Sequence, residues 1–321
     1  MSMLFSAQFT SSPRRLNLSR LNLSRLNLKR TLGASAALLL LIGAGTLAHA
    51  EPRIRNGYVD NRYGQLHYTM ASPATTVRHT PVAMIHQTVN ASIESRSLFQ
   101  ELAQDRVVLA IDTPGYGNSD GPQTPVRIED YAAAIAEGLR ALGYNSRRPI
   151  DVIGLHTGAL IAAELAISQP GTVRRVALSG VYVVPEERWN KALDSLPRYR
   201  NSAEFFDWFV SALPRLHQSA LERGIPEADW GRITSESLRP LVRREFAHDA
   251  AFRYAARAPE RLPRVSQPVL LLALGDSLRQ PTLDSLPLFR NARVADLPQY
   301  LDGAYFAEVG PIAAALRQFL D

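Results

Sequence analysis

The stretch that decides the fold of this chain reads Val152-Ile153-Gly154-Leu155-His156-Thr157-Gly158-Ala159. A short apolar run ends at Ile153 and a run of good helix formers begins at Ala159, so the stretch joins a predicted strand to a predicted helix. Its two glycines allow a sharp turn and close packing of strand against helix. Such a turn exposes its central side chain at the start of the helix, and that side chain is the imidazole of His156.

Strands and helices alternate on both sides of this turn. Before it, the apolar pattern predicts a hairpin at 57–71, strands at 81–86 and 107–111, and helices at 93–104 and 128–142. At and after it, the pattern predicts strand 150–153, helix 159–168 and a strand within 173–184. This alternation indicates the α/β class, with a mostly parallel central sheet flanked by helices on both faces. We interpret His67, in the hairpin, as an ordinary strand residue.

The pattern changes over residues 185–262, which show helical spacing and no clear strand. The strand pattern then resumes at 269–273 and 292–297, and a helix follows at 307–320. A helical block inserted between strands of one sheet is expected to form a lid over the carboxyl edge, where open α/β sheets bind ligands. The sequence therefore predicts a core at 51–184 and 263–321 with a helical lid at 185–262.

Residues 1–50 have the three-part layout of an export signal. Lys29 and Arg30 precede the apolar run 32–47, and Ala48-His49-Ala50 follows it as a small-x-small cleavage pattern. We therefore expect a signal peptide with an extended basic region and an exported protein, located in the periplasm. The apolar run is short for a membrane span, which needs about 20 residues. The alternative is an uncleaved membrane anchor through 32–47.

Composition excludes several other classes of function. The chain has 36 basic and 30 acidic side chains, and six of the basic ones but none of the acidic ones lie within residues 1–50. The rest of the chain is therefore neutral and lacks the excess positive charge that nucleic-acid binding requires. The chain has no cysteine, which rules out disulfides and thiolate chemistry. It has neither a histidine pattern with metal-ligand spacing nor a nucleotide-binding glycine loop after a strand. We expect no metal and no cofactor; the expected partner is a small-molecule substrate or ligand.

Several segments, taken in chain order, resemble motifs of the α/β-hydrolase superfamily over most of residues 55–321. The matching segments are Met84–Thr88, Asp112–Asp120 with the pattern D-x-P-G-x-G-x-S, the turn 152–159 with the pattern G-x-S-x-G, the strand 268–272, and Asp302–Phe306. The resemblance implies an α/β-hydrolase fold with a helical lid and hydrolysis of an ester or a related carbonyl compound.

The chain departs from this family at the positions that carry catalysis. His156 stands where the family has its serine nucleophile. Tyr305 falls on the family's histidine position, or Asp302 does if the register shifts. The acid position falls on Asp276 or, one residue on, Ser277. A Ser-His-Asp triad cannot form from these residues, so the candidate catalytic residues are His156, Asp276 and Tyr305.

Other candidate residues follow from the same resemblance. Gln87 replaces the oxyanion-hole glycine, but only backbone N–H groups are needed there, so those of Gln87 and Thr157 are the expected oxyanion donors. His86 and Tyr116 are expected to support or line the pocket, with packing favoured for His86. His248, in the lid region, is most simply a residue of a solvated helix face, although it could reach the pocket from above.

His156 has the chemistry for a catalytic centre without a Ser-His-Asp triad. The positive end of the helix dipole disfavours an imidazolium, so we expect a neutral ring with a free lone pair. Such a ring can act as a general base on water or attack a carbonyl carbon itself, with Asp276 or Tyr305 fixing its tautomer. The predicted function is an exported hydrolase of a small apolar ester or related carbonyl compound. The alternatives are a catalytically inactive relative that binds a small ligand, and a lyase or cofactor-free oxygenase with a histidine base.

Overall fold

The computed structural model describes residues 51–183, 202–240, 245–306 and 309–321. The predicted export signal at 1–50 and residues 185–201 of the predicted lid lie outside the described residues. Nothing in the structure bears on those two predictions.

The described residues form one eight-stranded sheet in the order β1-β2-β4-β3-β5-β6-β7-β8. Its strands are β1 (Arg53–Asn61), β2 (Gly64–Ser72), β3 (Val82–Ile85), β4 (Val108–Ile111), β5 (Ile150–Leu155), β6 (Val173–Ser179), β7 (Val269–Leu274) and β8 (Ala292–Leu297). The hairpin β1–β2 is antiparallel, as is the pairing of β2 with β4, and the remaining pairs are parallel. The prediction of a mostly parallel central sheet is confirmed.

Helices cover both faces of this sheet. One face packs against α2 (Ile128–Ala141) and α3 (Thr157–Ser168), and the other packs against α1 (Arg96–Leu102) and the C-terminal helix. All six residues of β5 are buried, as expected for a parallel strand enclosed on both faces. The sheet therefore has two apolar cores, one on each face.

The described residues between β6 and β7 are helical. They form α4 (Ser202–Glu222), α5 (Glu227–Leu238), α6 (Phe246–Ala255) and α7 (Ala258–Arg261); α8 (Arg279–Asp284) and α9 (Val309–Leu320) follow β7 and β8. The assignment of 185–262 as a lid stays a prediction.

A buried ionic cluster attaches the end of the insertion to the core. Glu164, on α3, accepts two hydrogen bonds from Arg261 at 2.7 and 2.6 Å and one from the Tyr254 hydroxyl at 2.7 Å. The Glu164 side chain is only 2 % exposed. The cluster fixes the position at which the chain leaves the insertion and returns to β7.

Candidate active site

The strand-to-helix turn holds His156 in a backbone conformation that few residues adopt. Strand β5 ends at Leu155 and helix α3 begins at Thr157, which leaves His156 between them with φ of 50° and ψ of −113°. Among the described residues, it is the one non-glycine position with positive φ. Positive φ in a side-chain-bearing residue stores strain, and such strain is concentrated at functional sites. The His156 N–H donates to the Ser179 carbonyl at 2.7 Å, which holds the turn in place.

Glycines around the turn make this geometry possible. A Cβ on Gly154 would overlap the carbonyl oxygen of Gly158, and a Cβ on Gly158 would overlap the carbonyl oxygens of Ile85 and His86. The spacing of the two glycines is therefore a packing requirement of the turn. Gly180, with φ of 71°, lies directly against the imidazole, and a Cβ there would overlap the ring of His156.

The structure brings His156 and Asp276 together from segments far apart in the chain. The His156 Nε2 lies 3.5 Å from the Asp276 Oδ2, with the two side chains 24 % and 12 % exposed. The other oxygen of Asp276 accepts the Leu278 N–H at 2.8 Å, which fixes the carboxylate. A carboxylate next to Nε2 favours the tautomer with the proton on that nitrogen, and the lone pair then lies on Nδ1.

The two backbone N–H groups predicted to hold an oxyanion differ in their availability. Thr157 is the first residue of α3, so its N–H has no acceptor within the helix. The Gln87 N–H instead donates to the Glu94 carboxylate at 3.1 Å. The Gln87 side-chain amide also donates to Glu94, as does the Asn90 amide at 3.0 Å. An oxyanion role for the Gln87 N–H would therefore require its release from Glu94.

His86 and Tyr116 are buried structural residues in this arrangement. The His86 Nδ1 lies 2.8 Å from the Gln87 carbonyl, and its Nε2 accepts the Thr113 N–H at 2.9 Å. Burial lowers the pKa of His86, which agrees with a neutral ring that accepts a backbone N–H. The Tyr116 ring packs edge-on against His86, and its hydroxyl accepts the Ala247 N–H of α6 at 3.1 Å. These contacts hold both side chains within the fold.

The other candidate residues are Tyr305, Asp302 and His248. Tyr305 is 3 % exposed and belongs to an apolar cluster with Ile312 and Leu316. The side chain of Asp302 lies outside the described residues. His248 pairs with Glu245 at 2.7 Å, three residues away in the insertion. The structure thus brings together His156, Thr157 and Asp276 and places Tyr305 and His248 in separate contacts.

A second His-Asp pair escaped the reasoning from sequence. The His67 Nδ1 lies 2.7 Å from the Asp112 Oδ2, and both residues are buried. Burial alone would raise the pKa of Asp112, but hydrogen bonds from His67, Asn118 and Ser92, with the nearby His86, lower it to about 2. The interpretation of His67 as an ordinary strand residue missed this pair. The pair follows from the register of β2 against β4, which pairs the neighbouring residues Tyr68 and Ile111 and which the sequence does not encode locally.

Within the described ranges, histidine, aspartate and glutamate form no group of three or more that could hold a metal ion. Among the helices of those ranges, none combines the length and hydropathy that crossing a bilayer requires.

Comparison with known proteins assigns the family. The model of the family described as "Alpha/beta hydrolase family" matches residues 91–310. A pimeloyl-[acyl-carrier protein] methyl ester esterase of Neisseria meningitidis is 28% identical over 224 residues, 67% of this chain and 82% of the esterase. Two solved structures share the fold. The enol-lactonase from Burkholderia xenovorans superposes with a TM-score of 0.66 at 17% identity, over 82% of this chain and 99% of the enol-lactonase. A hydrolase from Pseudomonas aeruginosa superposes with a TM-score of 0.65 at 19% identity, over 83% of this chain and 98% of the hydrolase. The chain belongs to the α/β hydrolase family.

Proposed function

We propose that this protein is an exported hydrolase of a small, mostly apolar ester or related carbonyl compound, with His156 as its nucleophile or general base. The observation that carries the proposal is the placement of this imidazole on a strained turn, partly exposed and 3.5 Å from Asp276. The similarity to methyl ester esterases supports an ester as the substrate class. Export is inferred from residues 1–50 alone.

The chemistry follows from the two ring nitrogens. With Nε2–H facing Asp276, the Nδ1 lone pair takes a proton from water while the water oxygen attacks the carbonyl carbon. The resulting imidazolium is stabilised by the Asp276 carboxylate, and the Thr157 N–H donates to the oxygen that gains negative charge. When the tetrahedral intermediate collapses, Nδ1 returns its proton to the leaving alkoxide. Direct attack of Nδ1 on the carbonyl carbon would form an acylimidazole, which water then hydrolyses.

The test is the removal of the imidazole. In the His156→Ala variant, we expect kcat/KM for short p-nitrophenyl esters to fall by at least about 100-fold, since a lost general base costs that much. The matched control is His248→Ala, which removes a partly exposed histidine that pairs within the insertion and should leave turnover unchanged. Circular dichroism would establish that both variants fold. Full activity in His156→Ala would remove this residue from the mechanism.

One observation favours a second candidate function, a non-catalytic relative that binds a small ligand beside His156. The Gln87 N–H is engaged by Glu94, so one of the two expected oxyanion donors is already in use. This candidate predicts that no ester is hydrolysed and that a ligand raises Tm in proportion to the logarithm of its concentration. A burst of product from an activated ester would contradict it.

A further inference from the structure

A half-open cavity of about 310 Å³ lies beside the β1–β2 hairpin, and we call it the hairpin cavity. The residues that line it include Ile54, His67, Arg96, Phe99, Asp112 and Glu236. Neither His156 nor Asp276 is among them. Strand β3 separates β4 from β5, so the floor of this cavity is two strand spacings, roughly 10 Å, from the His156 turn.

The acidic groups of the hairpin cavity already have partners. Asp112 accepts His67 at 2.7 Å, the Ser92 N–H at 2.8 Å and the Asn118 N–H at 2.9 Å. Glu236 pairs with Arg239 at 3.2 Å. Since these carboxylates are engaged, they offer little to a cationic ligand.

Arg96 is the exception among the charged residues of the wall. It is exposed, and among the described residues it makes neither a hydrogen bond nor an ion pair. Its guanidinium therefore has all of its donors available, and these donors match a carboxylate in bidentate geometry. His67 adds a second polar group, because its Nδ1 faces Asp112 and its Nε2 is left for another partner.

The remaining wall is apolar and suits a short hydrocarbon. Phe99, Ala91 and Ala110 are buried residues that face the cavity, and Ile54 lies at its rim with 44 % exposure. We propose that the hairpin cavity binds a small organic acid, with the carboxylate on Arg96 and the apolar part against Phe99. This site is separate from the chemistry assigned to His156 and does not depend on it.

Isothermal titration of the protein with hexanoate and with its neutral isostere hexanamide tests the proposal. We expect saturable binding of hexanoate, at least about tenfold weaker in Arg96→Ala and only partly weakened in Arg96→Lys, since a charge-assisted bond is lost or reduced. Glu236→Gln should bind hexanoate several-fold more tightly, because a negative charge leaves the wall. Hexanamide should bind at least about tenfold more weakly than hexanoate.

Two controls separate this site from the others. Arg127→Ala removes an arginine with 67 % side-chain exposure that does not line the cavity, and it should leave hexanoate affinity unchanged. His156→Ala should also leave it unchanged, whether or not that variant loses esterase activity. Equal affinity in Arg96→Ala and the parent protein, equal affinity for hexanamide, loss of hexanoate binding in His156→Ala, or no saturable binding at all would each overturn the proposal.

Discussion

At the scale of single residues, His156 combines a partly exposed imidazole with a strained backbone. Its φ of 50° carries a steric cost for any residue with a Cβ, and that cost is offset only by the packing of the turn. Gly180 leaves space for the ring, since a Cβ there would overlap it. The strained backbone thus lowers the stability of the fold but orients the imidazole, an exchange typical of functional positions.

This strain predicts a difference between two truncations of the same side chain. We expect His156→Gly to be more stable than His156→Ala by about 1 kcal/mol, because only glycine adopts this conformation without a Cβ clash. Both variants remove the imidazole, so differences in side-chain chemistry cancel. Urea unfolding of the two proteins measures the difference, and equal unfolding free energies would show that the turn relaxes without strain.

Asp112 gives the second prediction at this scale. Its folded pKa of about 2 lies below the unfolded value, so its contribution to stability is complete above pH 4 and is lost as the pH falls through 2. For a shift of this size the contribution is about 2 to 3 kcal/mol. The drop in unfolding free energy between pH 5 and pH 2.5 should therefore be smaller in Asp112→Asn than in the parent. Parallel pH profiles for the two proteins would be inconsistent with this role.

At the scale of elements, the helical insertion depends on contacts from the core. The Tyr116 hydroxyl accepts a backbone N–H in the first turn of α6, where no acceptor exists within the helix. Glu164 on α3 accepts hydrogen bonds from Tyr254, in the last turn of α6, and from Arg261, in α7. Two contacts with the core, one at each end of α6, therefore set the position of this helix.

The Glu164 cluster predicts a large loss of stability on a single substitution. We expect Glu164→Ala to lower the unfolding free energy by about 3 kcal/mol, since Arg261 and the Tyr254 hydroxyl would lose a buried partner. The matched control is Glu129→Ala, which breaks a more exposed pair with Arg257 and should cost under about 1 kcal/mol. Chemical denaturation of both variants makes the comparison, and a similar small loss in each would argue against the cluster as an anchor.

At the scale of the whole molecule, the proposed export concerns residues 1–50, and the fold begins at β1. Cleavage after Ala50 would give a mature chain that starts at Glu51, two residues before β1. We expect N-terminal sequencing of the protein recovered from the periplasmic fraction to read Glu51-Pro52-Arg53. Recovery of an uncleaved chain in the membrane fraction would instead support an anchor through 32–47, and cytoplasmic recovery would contradict export.

The sequence by itself determined the fold class, because that information is local. The hydrophobic periodicity of each strand and helix can be recognised within that segment alone, and so can the spacing of the glycines at 154 and 158. The alternation of strands and helices then restricts the topology to a mostly parallel sheet with an insertion. His156 was identifiable for the same reason, since its place between strand and helix needs no distant partner.

Only the tertiary structure decided which side chains meet. Asp276 reaches His156 because β5, β6 and β7 lie side by side, and Glu94 engages Gln87 through the fold of the loop after β3. The His67-Asp112 pair depends on the register between two antiparallel strands that are not neighbours in sequence. Contacts of this kind are set by strand order, register and loop path, which no local pattern of residues encodes.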